Sequence, residues 1–298
     1  MKEGVIKNIR RMIQYISASI LPKEMLQIIY SKAVIGYVPN LKEPKTFNEK
    51  LQWYKLYYCS NDSVVSMCAD KYEVRKYIKD KGFVEYLNDL YGVWDRVSDI
   101  PWDNLPEKFV LKCTHGCAYN IICSDKNKFD RAVAIRKLNN WMKEDFGKYN
   151  LEFHYSSIKP RIICEKYLGG NMTDYKFFCF SGKMEFMYIS EGLDHDDTAT
   201  IAFFDSIGEP AKFRRSDYEV NVSATVPDEF QKLSSLSELL ANEFPFVRVD
   251  WFVVENNIYF SEMTFVPCAG MMPFDPKEYD VILGELFKLP EKKILGRT

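Results

Sequence analysis

The sequence has neither a long hydrophobic run nor a strong net charge. No apolar segment reaches the roughly 18 residues that a membrane-spanning helix requires. The first residues are basic, but no uninterrupted apolar segment or small-residue cleavage site follows them, so we expect no signal peptide. The net charge of −2 argues against non-specific binding of nucleic acid. These absences favour a cytoplasmic protein.

Histidine is also scarce, with three copies. No convincing Ser–His–Asp or Cys–His set is present, so nothing indicates a side-chain nucleophile. His115 lies in a short loop, where contact with a phosphate is one alternative. We expect His154 and His195 at the surface. The eight cysteines are expected to be reduced thiols, and the spacing around Cys113 and Cys117 lacks the second ligand pair of a zinc site.

The composition is that of a globular protein. The chain has 298 residues, of which 47% are hydrophobic and 15% aromatic, which is enough for two or three subdomains with their own cores. No internal repeat or low-complexity tract is present. Helical patterns dominate the first hundred residues, and strand pairs dominate the rest.

The N-terminal segment, residues 1–21, has the pattern of an amphipathic helix. Its apolar residues recur at helical spacing, and basic residues accompany them. The simplest interpretation is a helix packed on the body of the protein. The alternative is a helix that contacts a membrane surface or a partner, because a basic amphipathic segment suits anionic lipid.

Further helices are predicted over residues 23–32, 47–58, 64–80, 132–146 and 230–244. Thr46 and Glu49 form a capping box at the start of the second of these. Its residues Asn48, Lys50 and Gln52 are candidates for a polar face toward a substrate.

Residues 108–123 form a predicted hairpin with a lysine at the end of a buried strand. The strands are 109–113 and 119–123, and the loop between them is 114–118. Burying Lys112 costs free energy unless it has a partner, and a phosphate is one such partner. The small-residue loop beside it can bring backbone N–H groups to the same phosphate. The alternative is an ordinary turn with a lysine that extends to solvent.

Two more hairpins follow a predicted buried strand over 161–168. Residues 174–190 form a hairpin about Ser181 and Gly182. The last hairpin has strands 247–254 and 258–265, joined by a turn over 255–257. Arg248 and Asp250 share one face of its first strand, and Glu262 and Thr264 share one face of its second. If the faces agree, these four side chains meet, either as a site for a hard divalent metal or as a solvated ion-pair face.

The order of these segments resembles the ATP-grasp superfamily of carboxylate–amine ligases. The branch that is most similar is the TupA-like group, associated with teichuronopeptide and polysaccharide biosynthesis. The resemblance covers about residues 44–290. It rests on six segments in order: TFNEKLQWY, ADKYEVR, FVLKCTHG, DYKFFCF, FVRVDWF and YFSEMTF.

The resemblance implies a role for each matching residue. Lys71, Lys112 and the loop around Gly116 correspond to groups that hold the ATP phosphates. In the hinge, Glu165 corresponds to the acceptor of the adenine amino group, and the backbone from Lys166 to Leu168 completes the adenine edge. Asp174 corresponds to the acid on the ribose hydroxyls. The resemblance further implies three magnesium ligands (Asp250, Glu262 and Thr264) and an arginine on the transferred phosphoryl group (Arg248). Many relatives have asparagine where this chain has Thr264. Lys176 has no universal counterpart in the superfamily, and we expect it to contact phosphate or the acyl substrate.

The resemblance also implies an α+β fold in which two subdomains clasp ATP after a helix-rich N-terminal region. The expected parts are residues 1–100, a small subdomain over 101–168, and a large subdomain with the metal site over 169–298. The expected activity is an ATP- and Mg²⁺-dependent ligation of an amine or amino acid to a sugar or glycan carboxylate through an acyl phosphate. The alternatives are a glycan kinase on the same fold and a non-catalytic glycan-binding protein.

Overall fold

The computed structural model describes residues 2–170, 172–192 and 199–293, with the backbone alone described for residues 2–8. The α-helices of this part of the chain are α1 (Lys2–Ile20), α2 (Lys23–Val34), α3 (Phe47–Tyr57), α4 (Ser63–Ala69), α5 (Val74–Asp80), α6 (Arg131–Trp141), α7 (Gly147–Asn150), α8 (Phe230–Ala241) and α9 (Tyr279–Leu286). None of the described helices is both long enough and apolar enough to cross a bilayer.

Helix α3 begins as its capping box predicts. The Thr46 hydroxyl accepts from the backbone N–H of Glu49, whose carboxylate accepts from the backbone N–H of Thr46. The single helix predicted over 64–80 is wrong, because Asp70 ends α4 in an extended conformation. The Asp70 carboxylate accepts from the N–H of Tyr72 at 2.7 Å and so forms the turn before α5. The helix predicted over 132–146 ends early, at Trp141.

The first sheet has four antiparallel strands in the order β1–β4–β2–β3. Its strands are β1 (Leu90–Trp94), β2 (Phe109–Cys113), β3 (Asn120–Cys123) and β4 (Ile162–Lys166). Strands β2 and β3 are the predicted hairpin. Strand β1 belongs to this sheet but lies before residue 101. The predicted boundary after residue 100 therefore separates β1 from its hydrogen-bonded partner β4. A boundary before Leu90 fits these hydrogen bonds better, and the division into three parts stays a prediction.

The second sheet has six strands in the order β11–β10–β5–β6–β7–β9, and only the β7–β9 pair is parallel. Its strands are β5 (Asp174–Phe180), β6 (Lys183–Glu191), β7 (Thr200–Asp205), β9 (Glu219–Val220), β10 (Phe246–Val254) and β11 (Asn257–Thr264). A two-stranded sheet joins β8 (Arg214–Arg215) to β12 (Phe274–Asp275). Both predicted hairpins of this region are present.

Helix α3 packs directly on the six-stranded sheet. Phe47 is fully buried, with its ring centroid 5.6 Å from that of Phe180 and 5.4 Å from that of Phe246. Phe287, after α9, completes this cluster of rings. The core of the large sheet therefore includes a helix from the predicted N-terminal region.

The expectation that His154 lies at the surface is wrong. It is 1% exposed and packs against Tyr155 in the segment after α7. Burial lowers its pKa to about 3, so the ring is neutral. His195 lies outside the described residues.

Candidate functional site: a pocket between two sheets

The strand register of the large sheet aligns four polar side chains in one row. Glu262 on β11 lies opposite Asp250 on β10, Asp250 lies opposite Lys176 on β5, and Lys176 lies opposite Tyr188 on β6. Directly opposite residues in antiparallel strands share a face and have neighbouring Cβ atoms. Arg248 and Asp250 on β10 therefore lie on the same face of the sheet as Glu262 and Thr264 on β11.

Arg248 binds the predicted metal ligands to one another. Its Nε and Nη2 atoms lie 2.7 and 2.6 Å from the two carboxylate oxygens of Asp250. Nη2 also lies 3.2 Å from Oε1 of Glu262 and 3.0 Å from the Thr264 hydroxyl. Such bidentate charge-assisted hydrogen bonds fix a planar guanidinium firmly.

Lys176 lies between two carboxylates. Its Nζ is 2.7 Å from Oδ2 of Asp250, and it also donates to Asp174. Burial alone lowers the pKa of Lys176, but the attraction of Asp174 and Asp250 outweighs burial and raises it. The ammonium is therefore charged, and it joins the row in the sheet to the first residue of β5.

The pKa values of Asp174 and Glu262 are shifted in opposite directions. Burial, with the charge of Asp250, raises the pKa of Asp174 to about 6 against the pull of Lys176. Burial also tends to raise the pKa of Glu262, but Lys71, Arg248 and Lys176 together lower it to about 2. Glu262 is therefore ionised at neutral pH. Oδ1 of Asp174 is buried and has no hydrogen-bond partner in the described part of the chain.

The four-stranded sheet contributes Lys112 and Glu165. Nζ of Lys112 is 2.7 Å from Oε2 of Glu165, and Arg75 Nη1 is 3.1 Å from the other oxygen, Oε1. Both oxygens of Glu165 thus accept from cations. The adenine contact expected for Glu165 stays a prediction, and its visible role is to hold Lys112 toward the pocket.

The predicted phosphate loop connects β2 to β3. Lys71 Nζ donates to the carbonyl oxygen of Gly116 at 2.6 Å. A Cβ atom on Gly116 would lie 2.8 Å from the rings of Phe146 and Tyr119, so glycine is required. Ala118 has a φ of +58°, a conformation that glycine adopts without strain. His115, within this loop, is buried with Nε2 3.0 Å from the Trp141 carbonyl oxygen, and is not among the described residues that line the pocket.

The predicted hinge, residues 165–168, begins within the last two residues of β4. The Lys166 N–H donates to the Asp89 carbonyl oxygen at 3.0 Å, and the Lys166 carbonyl oxygen accepts from the Asn88 side chain at 2.8 Å. These bonds fix the backbone at the start of the hinge. Leu168 lines the pocket two residues later.

A pocket of about 660 Å³ brings these parts together. Of the predicted site residues, those that line it are Lys71, Lys112, Glu165, Lys166, Leu168, Asp174, Lys176 and Glu262. Arg248, Asp250 and Thr264 lie behind this lining and reach it through their hydrogen bonds to Lys176 and Glu262. Gly116 is held by Lys71. All the predicted site residues thus belong to one connected region.

Sequence reasoning missed the residues that fix the site from behind. Arg75 and Asn88 hold Glu165 and the hinge, and Tyr188 lies 3.5 Å from Arg248 Nη1. A regular hairpin about Ser181 and Gly182 would place Met187 opposite Lys176, and a bulge near Phe178 places Tyr188 there instead. The sequence pattern therefore carried no signal for Tyr188.

The polar side chains of α3 do not face a substrate. Asn48 exchanges two hydrogen bonds with the Met272 backbone, at 2.8 and 2.7 Å, and Gln52 donates to the Gly270 carbonyl oxygen at 2.9 Å. Lys50 donates to the carbonyl oxygens of Gly284 and Phe287. The expected polar face toward a substrate is therefore wrong, because these groups bond to buried backbone.

Helix α3 instead clamps the segment that follows β11, the strand of Glu262 and Thr264. In this segment, Pro267–Gly270, Cys268 and Ala269 have positive φ angles of 52° and 54°. Lys55, fully buried, donates to the Ala269 carbonyl oxygen at 2.9 Å and to the Asn150 carbonyl oxygen at 2.8 Å. A left-handed conformation at non-glycine residues persists only where its surroundings enforce it, and α3 supplies that enforcement.

Two sheets with a pocket of lysines and carboxylates between them form an ATP-grasp fold. Residues 49–288 match the family model described as TupA-like ATPgrasp, and the chain belongs to this TupA-like ATP-grasp family. No curated protein sequence matches the chain.

Several solved structures are similar. D-alanine–D-alanine ligase from Bacillus anthracis, complexed with ATP, is 16% identical, with a TM-score of 0.45 over 75% of this chain and 65% of that chain. L-amino acid ligase from Bacillus licheniformis is 13% identical, with a TM-score of 0.44 over 79% of this chain and 54% of that chain. The chain spans less than two thirds of the length of either structure.

Proposed function

We propose that the protein is an ATP-dependent ligase that joins an amine to a carboxylate. The observation that supports this proposal is the convergence of Lys71, Lys112 and Lys176 with Asp174 and Glu262 on one pocket between the two sheets. Its volume of about 660 Å³ lies within the range of small-molecule sites. The three lysines can bind the oxygen atoms of a triphosphate, and the two carboxylates can bind the divalent cation that accompanies it.

In this proposal the two sheets divide the nucleotide between them. Lys71, Lys112 and the backbone of the Gly116 loop bind phosphate oxygens. The hinge from Glu165 to Leu168 borders the adenine, and Asp174, with its unpartnered buried oxygen, receives a ribose hydroxyl. Glu165 can reach adenine only by sharing an oxygen that already accepts from Lys112 or Arg75.

Magnesium fits the oxygen atoms of Asp250, Glu262 and Thr264. Among the described residues, no three His, Cys, Asp or Glu side chains are grouped to hold a metal by themselves. Mg²⁺ does not require such a group, because it takes one or two carboxylates and completes its shell with phosphates and water. Glu262 lines the pocket, whereas Asp250 is fully buried and could join only if Lys176 or Arg248 moved. When bound, the ion would neutralise phosphate charge.

The proposed reaction has two balanced steps. An oxygen of the acceptor carboxylate attacks the γ-phosphorus of ATP, the bond to the bridging oxygen breaks, and ADP leaves with that electron pair. The amine nitrogen then attacks the carbonyl carbon of the acyl phosphate, the carbon–oxygen bond breaks, phosphate leaves, and a proton passes to solvent. Arg248 and Lys176 are fixed cations where charge develops on phosphoryl oxygen.

The proposed acceptor is a sugar or glycan carboxylate, and the donor is an amino acid or small amine. The similarity of the six sequence segments to a polysaccharide-associated branch supports this assignment. A cytoplasmic location is part of the proposal, because the reaction consumes ATP and all eight cysteines are free thiols.

The test measures ADP release with ATP, Mg²⁺, a uronic acid and a panel of amino acids. The ligase predicts ADP release only when both acid and amine are present, with an amide product by mass spectrometry. A stable phosphorylated sugar without amine would establish the kinase instead. Glycan binding without any ATP binding, unchanged in Lys112→Ala, would establish the non-catalytic alternative.

A further inference from the structure

Helix α1 turns its apolar face away from the protein. Ile9, Met12, Ile13, Ile16 and Ile20 recur at three- and four-residue steps, so they share one face. They are 50, 57, 58, 51 and 73% exposed. An ordinary surface helix buries this stripe, so the expectation that α1 packs its apolar side on the body is wrong.

The described inward contacts of α1 are made by residues outside this stripe, and they are mostly polar, apart from those of Tyr15 and Ala18. Gln14 donates to the Asn150 side chain at 3.2 Å, and Ser17 lies 3.3 Å from the Tyr30 hydroxyl. Arg11 forms an ion pair with Glu144 at 3.5 Å. Because residues outside the stripe attach the helix, its outward apolar stripe is part of the folded arrangement.

The apolar surface continues onto α2. Leu21, Met25, Ile29 and Val34 are also exposed, and ten of the 21 exposed large apolar residues in the described part of the chain lie within residues 9–38. A groove of about 470 Å³ runs between the helices, lined mainly by Ile9, Ile13, Tyr30, Ala33 and Val34. Clustering of this kind marks an interaction surface.

The charge around this surface is positive. Arg10 lines the groove, and Lys32 is exposed on α2. Arg11, the other basic residue of α1 whose side chain is described, pairs with Glu144 instead. A basic rim around an apolar stripe matches an anionic lipid surface, which offers both acyl chains and phosphates. The same rim would face its own positive charge in a second copy of the chain.

We propose that α1 and α2 dock the protein on an anionic membrane surface. The stripe from Ile9 to Ile20 enters the boundary of the acyl chains, and Arg10 and Lys32 contact lipid phosphates. The contact is peripheral. It does not depend on the ligase activity, because none of these side chains belongs to the pocket between the sheets.

The test is co-sedimentation of the full chain, without ATP, with phosphatidylcholine vesicles and with vesicles that also contain phosphatidylglycerol. We expect binding to the anionic vesicles that weakens as salt is added. The double variant Ile13→Ser and Ile16→Ser should lower the partition coefficient by about 10-fold or more. Arg10→Glu should lower the partition coefficient for the anionic vesicles and leave that for the phosphatidylcholine vesicles unchanged.

The matched control is Val64→Ser with Val84→Ser, since both valines are exposed elsewhere, at 40 and 57%. It should bind vesicles as the unchanged protein does, and all variants should bind ATP equally. Equal binding by the Ile13/Ile16 variant would overturn the proposal. So would light scattering that shows a dimer of the unchanged chain and a monomer of that variant, because the face would then join two copies.

Discussion

Lys112 and Lys176 both line the pocket, but their surroundings differ. The Lys112 side chain is 23% exposed, and its partner Glu165 keeps Arg75 if the lysine is lost. The Lys176 side chain is 7% exposed and lies between Asp174 and Asp250. A partly exposed ion pair contributes little to stability, whereas removing one partner of a buried group leaves uncompensated charge. The two lysines should therefore respond differently to the same substitution.

We predict that Lys112→Met weakens ATP binding without unfolding the protein. Loss of one charge-assisted hydrogen bond to phosphate should lower ATP affinity by about 10-fold or more. The free energy of unfolding should change by less than about 1 kcal/mol. Calorimetry with a non-hydrolysable ATP analogue and urea unfolding measure the two quantities. Lys108→Met, exposed just before β2, is the control, and an unchanged affinity in Lys112→Met would remove Lys112 from the proposed phosphate site.

For Lys176→Met we predict a large loss of stability, about 3–5 kcal/mol, because Asp174 keeps no described cationic partner in the buried site. Adding Asp174→Asn should recover part of this loss, since the uncompensated carboxylate is then gone. Urea unfolding of the single and double variants at neutral pH provides the measurement. A cost below about 1 kcal/mol for Lys176→Met would mean that solvent already screens the pair.

At the scale of elements, the hairpin of β10 and β11 shows what the sequence can determine. The sequence predicts a three-residue turn over 255–257, whereas the structure has a two-residue turn, in which Glu255 and Asn256 have positive φ. Unbroken pairing from that turn would place Ser261 opposite Asp250. A bulge after Asp250 restores the register and places Glu262 there. The shorter turn and the bulge each shift the register by one residue, in opposite directions. Asp250 and Glu262 therefore share one face, as predicted.

Other elements depended on contacts that no local pattern carries. The hairpins, the capping box and the order of the site residues followed from periodicity and resemblance. The break at Asp70 depends on its own carboxylate and on Arg161, 2.8 Å from it but 91 positions along the chain. The burial of His154 and the bonds of Asn48 and Gln52 to the segment after β11 also depend on distant partners. Alternation and helical spacing report which face is apolar, and they do not report which buried backbone a polar group will meet.

The clamp by α3 leads to a prediction with an internal control. Lys55 and Lys50 each donate to two buried carbonyl oxygens, but only Lys55 reaches the segment after β11. Lys55→Met and Lys50→Met should both destabilise the protein. Only Lys55→Met should also lower kcat, because the strained Ala269 backbone, which follows the strand of the proposed metal ligands, loses its support. Equal kcat in both variants, at a temperature where both are folded, would show that the clamp serves stability alone.

At the scale of the whole molecule, the predicted N-terminal region is divided between the two sheets. Strand β1 pairs with β4 in the small sheet, and α3 packs into the large one. Helix α1 attaches through contacts of Arg11, Gln14, Tyr15 and Ser17, and it displays an apolar surface. The pocket proposed for ATP therefore lies between two bodies that each include part of the first hundred residues. Removing residues 1–100 would take away a strand of the small sheet and part of the core of the large one.

The final prediction tests this shared core. Phe47→Ala should destabilise the large sheet by about 3–5 kcal/mol, because Phe47 is fully buried among Phe180, Phe246 and Phe287. Hydrogen exchange followed by mass spectrometry should then show faster exchange in β5 and β10 and not only in α3. The matched variant Phe109→Ala, in the core of the small sheet, should instead raise exchange first in β2 and β4. Faster exchange confined to α3 in Phe47→Ala would mean that this helix unfolds separately, and that the N-terminal region is a unit of its own after all.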